Sequence, residues 1–259
     1  MPSTLTDDGV SIHYLARGTG SRNLVFLHGW AGTGGYFDQT VEHLDLAALR
    51  LITFDMRGHG DSERPDTELT LERLAGDVLA VADEARAQTF VAIGFSMGGK
   101  FAQYLPLRAA DRVEALVLVA GVPAAPLPLP QEMVAEWNAM AGDAAAFATF
   151  LRPFMHKQVP EEILRRFGEQ AAQIPRADLE RTLELFMSSS FLERLRSVRV
   201  PVLVVAGAYD PLVTAELNDA IVGSIPNARL QQLDCGHEVP IEQPDELAGL
   251  IEGFVSELN

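Results

Sequence analysis

Short apolar runs rich in β-branched residues recur along this chain, each closing on Gly, Asp, Ser or Pro, and helix-length intervals separate them. They fall at residues 10–14, 23–27, 50–54, 90–95, 115–120, 200–206 and 229–233. Between them, residues 70–88, 97–109, 214–225 and 244–258 carry apolar side chains at helical spacing, with Thr70 and Pro244 as helix-start residues. Strands that are apolar on both faces need cover on both faces, and strands separated by helices pair in parallel through right-handed crossovers. The expected fold class is therefore α/β, a mostly parallel doubly wound sheet.

The alternation fails once. After Gly121 comes the proline-rich stretch 122–130, then helical runs at 131–140, 144–154, 161–172 and 176–186, and no strand signal returns before Val200. Residues 1–121 and 200–259 then form the core, and residues 122–199 form an inserted helical cap. Such a cap would lie over the carboxyl ends of the strands, where open α/β sheets bind ligands.

Composition narrows the setting. With 47% apolar positions in 259 residues, the chain can bury one sizeable core. Asp and Glu number 36 against 20 Lys and Arg, a net charge of −16 that disfavours nucleic acid and anionic membranes as partners. Cys235 is the single cysteine, so no internal disulfide can form. Residues 1–17 do not read as a signal peptide, and the uncharged stretch 115–131 is short and broken by four prolines. A soluble cytoplasmic protein is expected.

Gly94-Phe95-Ser96-Met97-Gly98 fits G-x-S-x-G, a weak pattern in isolation. Its setting strengthens it, because an apolar run precedes it and a helical run follows, as at a nucleophile elbow. Serine is a poor nucleophile unless a base, itself oriented by a third group, takes its proton. Asp210 follows the run at 200–206 and His237 follows the run at 229–233, which gives the chain order Ser, Asp, His, each just past a strand end. Asp234 is the second choice for the acid. Among the other histidines, His28 and His59 sit in glycine-flanked turns and suit a backbone-orienting role, while His13, His43 and His156 read as core or surface residues. No metal cluster or dinucleotide fingerprint is seen, and no cofactor is expected.

These motifs together resemble the α/β-hydrolase superfamily: His28-Gly29-Trp30, the segment from Asp55 to Ser62 containing Arg57-Gly58-His59-Gly60, the elbow through Gly99, Gly207 to Asp210, and Gly236-His237. Within it, His-Gly-Trp with Gly-Phe-Ser-x-Gly-Gly is most similar to small bacterial serine esterases that include the cofactor-free haloperoxidases, or perhydrolases. The resemblance implies Ser96 as nucleophile, His237 as base and Asp210 as its partner. It also implies an oxyanion hole from the backbone N–H groups of Trp30 and Met97, and a structural role for the Arg57 turn.

Aromatic residues suggest the pocket. The insert offers Trp137, Phe147, Phe150, Phe154, Met155, Phe186 and Met187, most of them expected to pack helix on helix. Trp30, Phe95, Trp137, Phe147, Phe154 and Phe186 are the expected lining, suited to a small neutral ester or lactone. The alternatives are a carbon–carbon bond hydrolase, a perhydrolase or a hydroxynitrile lyase on the same triad, or a non-catalytic receptor. A carbon–carbon hydrolase would need further polar groups, for which Lys100 is a candidate; a haloalkane dehalogenase would need an aspartate where Ser96 stands. Cys235, two residues from His237, is expected to be a place where thiol modification lowers activity.

Overall fold

The computed structural model describes residues 2–65 and 67–258. Eight strands form one sheet: β1 (Ser3–Leu5), β2 (Ser11–Arg17), β3 (Arg22–Leu27), β4 (Leu49–Phe54), β5 (Phe90–Phe95), β6 (Val113–Val119), β7 (Val202–Gly207) and β8 (Ala228–Leu233). Their order is β1-β2-β4-β3-β5-β6-β7-β8, parallel from β4 to β8, with β1 and β2 antiparallel at one edge. The three-residue β1 lies outside every apolar run, since an edge strand packs too little surface to leave a sequence signal.

The helices are α1 (Asp38–Glu42), α2 (Leu71–Glu84), α3 (Met97–Ala102), α4 (Leu105–Arg108), α5 (Gln131–Ala139), α6 (Ala144–Phe150), α7 (Glu161–Ala171), α8 (Arg176–Ser188), α9 (Ala215–Ser224), α10 (Val239–Glu242) and α11 (Pro244–Ser256). The Thr70 hydroxyl accepts the Arg73 N–H at 3.2 Å and caps α2 as expected. Two expected helices are split by proline. Pro106 separates α4 from α3, and Pro153 ends the run after α6 in a 3₁₀ turn, because proline has no N–H for the continuing ladder.

Successive strand residues face opposite layers. Val25, Leu27, Phe90, Ala92, Val202 and Val204 pack with Leu74, Val78 and Val81 of α2 and Ile221 of α9. Leu24, Phe26, Val91, Ile93, Leu203 and Val205 pack with Val41 of α1 and with Leu247, Ile251 and Phe254 of α11. Burying each such side chain stabilises the fold by about 1.5–3 kcal/mol, and both faces of the central strands are covered, while the edge strands β1 and β8 stay partly exposed. Between β6 and β7 the chain forms only helices and 3₁₀ turns. No described helix is long and apolar enough to cross a membrane.

Candidate active site

Ser96 stands between β5 and α3 with φ 51° and ψ −116°, a backbone strain of order 1–3 kcal/mol that the surroundings must hold in place. A Cβ on Gly94 would lie 2.4 Å from the Gly98 carbonyl oxygen, and one on Gly98 would lie 2.3 Å from that of Leu27. Both positions therefore exclude any side chain, which accounts for the glycine spacing of the motif.

The strand tips bring three residues together. Ser96 Oγ lies 3.0 Å from His237 Nε2, and His237 Nδ1 donates to Asp210 Oδ2 at 2.8 Å. Asp210 Oδ1 accepts the N–H groups of Leu212 (2.8 Å) and Val213 (2.9 Å), which fix the carboxylate. Burial alone would lower the His237 pKa. The hydrogen bond and charge of Asp210, with the charges of Glu238 and Glu242, outweigh burial and hold it above the ordinary 6.5. Asp234 is surface-exposed and 3.8 Å from Lys157 Nζ, away from His237. The N–H groups of Trp30 and Met97 make no hydrogen bond among the described residues, and Met97 opens α3, where amide groups lack helical partners.

A cavity of about 50 Å³ adjoins Ser96 and His237. Of the expected lining, Trp30, Phe95, Trp137 and Phe154 take part, joined by Gly29, Tyr36, Phe150, Leu151, Phe167, Leu212 and Glu238. Two residues of the expected lining do not. Phe147 is fully buried behind it, tilted against Trp30 and edge-on to Phe167. Phe186 packs in the opposite core layer, its carbonyl accepting from Lys100 Nζ at 2.7 Å. Lys100 also donates to the Ala125 carbonyl at 2.8 Å. Burial lowers its pKa to about 8, and it stays outside the cavity, so it does not supply the polar group a carbon–carbon hydrolase would need. Tyr36 escaped the sequence reading because it lies in a glycine-flanked 3₁₀ turn with no periodic signal.

His28 and His59 are held by backbone. His28 Nε2 accepts the Met56 N–H at 3.0 Å and its Nδ1 donates to the Gly29 carbonyl at 2.8 Å; burial lowers its pKa to about 4. His59 lies 5.1 Å away, ring to ring, with a pKa lowered to about 3 by burial and then by His28. Arg57 is buried and donates from Nε to Asp77 at 2.7 Å, as expected of a structural turn. Cys235 is fully buried and burial pushes its thiol up to about 12, so it is shielded from the modification that the sequence suggested. His13, Asp55 and Asp61 bring potential ligand atoms within 4.8 Å of one another, a grouping invisible in sequence. The Asp55 carboxylate there already receives the N–H groups of Gly34 and Asp61 and contacts His13 Nδ1 at 3.1 Å, which makes it a turn anchor.

The insert and the sheet are stitched together beside His237. Glu242 accepts the N–H groups of His156 and Lys157 at 2.7 Å each, of Gly236 at 3.0 Å and of Glu238 at 3.1 Å. The His237 N–H donates to the Phe154 carbonyl at 2.7 Å. Trp30 Nε1 donates to the Leu179 carbonyl of α8 at 3.0 Å, and its ring stacks on Trp137 at 5.1 Å.

With this geometry in place, the chain belongs to the alpha/beta hydrolase fold family, whose pattern matches residues 22–244. It is a hydrolase of that type. A pimeloyl-[acyl-carrier protein] methyl ester esterase of Nitrosomonas europaea is 31% identical, covering 94% of this chain and 99% of its own. The 3-oxoadipate enol-lactonase 2 of Acinetobacter baylyi is 26% identical over 99% and 97% of the two chains. The non-heme haloperoxidase of Rhodococcus erythropolis is 28% identical over 89% and 90%, in keeping with the resemblance to the haloperoxidase group. Among solved structures, an esterase from Exiguobacterium antarcticum shares the fold with a TM-score of 0.90 at 21% identity, covering 98% and 99%.

Proposed function

We propose that the protein is a serine hydrolase of carboxylic esters or lactones with short, uncharged acyl groups. The observation that carries this reading is the hydrogen-bond chain Asp210–His237–Ser96 at the wall of the cavity. Ser96 Oγ attacks the carbonyl carbon while His237 Nε2 takes its proton, and Asp210 holds the imidazole tautomer and stabilises its cation. The N–H groups of Trp30 and Met97 receive the oxyanion, each worth about 3–4 kcal/mol in the transition state. His237 returns the proton to the leaving alkoxide; water, deprotonated by the same imidazole, then releases the acid from the acyl-enzyme.

Cavity size supports the substrate class. A water-sized group needs on the order of 10–15 Å³ of such space, so 50 Å³ suits a small acyl group. Its aromatic lining carries no Lys or Arg among the described residues, which disfavours anionic chains. We assign residues 122–199 to a cap on a core of residues 1–121 and 200–259, and place the protein in the cytoplasm, where the lone Cys235 stays reduced. The test is turnover of p-nitrophenyl acetate to octanoate, together with fluorophosphonate labelling. Wild type is expected to label at Ser96 and to prefer the short chains, and Ser96→Ala to lose about 10⁶-fold in kcat. A folded protein that neither labels nor turns over any chain length would overturn the reading and favour a ligand receptor.

A further inference from the structure

The cavity carries a polar feature that ester hydrolysis does not use. Glu238 directly follows the base in sequence, is 3% exposed and lines the cavity. Its Oε2 accepts the Tyr36 hydroxyl proton. Its backbone N–H is tied to Glu242 at 3.1 Å. Tyr36 in turn is stacked on Phe95 at 4.9 Å and meets the Phe167 ring edge-on at 5.8 Å, so the hydroxyl that orients Glu238 is itself fixed. Among the described residues, Glu238 Oε1 receives no hydrogen bond. That oxygen is not sealed away by protein, so a donor on a molecule bound in the cavity that Glu238 lines can reach it.

We propose that Glu238, oriented by Tyr36, is the specificity-determining acceptor of this cavity, and that it selects short acyl groups bearing a hydroxyl over their alkyl isosteres. The proposal rests on the ester-hydrolysis reading and adds the substrate class, namely neutral esters or lactones of short hydroxy acids. A site built to hydrogen-bond a substrate hydroxyl rejects the analogue lacking it far more strongly than an apolar pocket can distinguish one methylene. A carboxylate on the acyl chain would be repelled by the same residue. Burial raises Glu238 to about 7, opposed by His237 and the Tyr36 hydrogen bond and reinforced by Glu242 and Asp210, so at pH 8 the carboxylate form is available to accept.

The pocket can be read without turnover in the Ser96→Ala protein, by NMR titration at pH 8 with the isosteric ketones 4-hydroxybutan-2-one and pentan-2-one. The hydroxy ketone is expected to bind about tenfold more tightly. Glu238→Leu in the same background is expected to reverse that order, and the shape-conserving Glu238→Gln to cut the preference to threefold or less. Equal or tighter binding of pentan-2-one to Ser96→Ala overturns the proposal, as does a preference that Glu238→Gln leaves intact. In parallel, kcat/KM of the wild type for methyl 3-hydroxypropionate against methyl butyrate tests the two readings separately. Failure to hydrolyse either ester counts against the hydrolase reading alone, whereas faster hydrolysis of the butyrate counts against Glu238 as the selecting acceptor.

Discussion

The sheet and the insert contribute to the site in different currencies. Ser96 and Asp210 follow β5 and β7, strands buried along their whole length, and His237 follows the partly exposed edge strand β8 on a loop pinned by backbone hydrogen bonds, so their mutual distances follow from sheet register and that pinning. The insert holds none of these three residues. It supplies Trp137, Phe150, Leu151 and Phe154 as walls, from helices that are largely exposed on their outer faces. Chemistry should therefore fail through kcat when the sheet side is altered, and substrate fit should fail through KM when the insert is altered.

After Ser96→Ala, the largest expected effect is Asp210→Asn, which keeps the shape but presents the wrong tautomer to Ser96 and should lower kcat about 10⁴-fold. A fall below about 10²-fold, with KM changed instead, would break the assignment of chemistry to the strand tips. The wild-type pH profile sharpens the same point. His237 must be neutral to act as base, and its pKa lies above 6.5, so kcat/KM is expected to rise about tenfold per pH unit up to a midpoint above 6.5 and then level off. The sign for stability is the reverse. The raised pKa stabilises the fold fully below 6.5 and that contribution is lost as pH rises through the folded-state value.

What could be read from sequence divides along the same line. The meeting of Ser96, Asp210 and His237 is legible because each lies on a small-residue loop after a strand, and strand-turn geometry is local. The strands were legible for the same reason, apart from the edge strand β1. The pocket was only partly so. Phe147, Phe150, Phe154 and Phe186 look alike in sequence, yet they end behind the cavity, on it, on it, and in the opposite core layer. Which face of a short amphipathic helix meets the cavity depends on how helices pack against each other, and no local spacing encodes that. Tyr36 bonds Glu238 across 202 positions of chain and Glu242 bonds His156 across 86, contacts that leave no trace in local spacing.

The stitch is where the two regions stop being separable. Glu242→Gln replaces one accepting oxygen with an NH₂ group, which faces backbone N–H groups of Gly236, Glu238, His156 or Lys157 and leaves buried donors unpaired, at about 1–3 kcal/mol each. The base loop and residues 154–157 should loosen together. We expect kcat to fall about 10–100-fold, the order that a misplacement near 1 Å produces, with a lower melting temperature. An unchanged kcat would mean that sheet register alone holds His237.

The smallest expected kinetic effect is also the cleanest discriminator within the insert. Phe186 and Trp137 both belong to it, but only Trp137 reaches the cavity. Trp137→Ala removes a wall stacked on Trp30 and should raise KM several-fold with kcat nearly intact. Phe186→Ala empties a buried site in the other layer, beside Lys100 Nζ at 5.7 Å from its ring. It should cost about 3–5 kcal/mol of stability, yet leave KM within twofold, because the Lys100 bond goes to the Phe186 main-chain carbonyl and survives truncation. Chemical denaturation alongside steady-state kinetics checks both. A tenfold rise in KM for Phe186→Ala would mean that the packing of α8 on the sheet, and not the cavity wall alone, sets substrate fit.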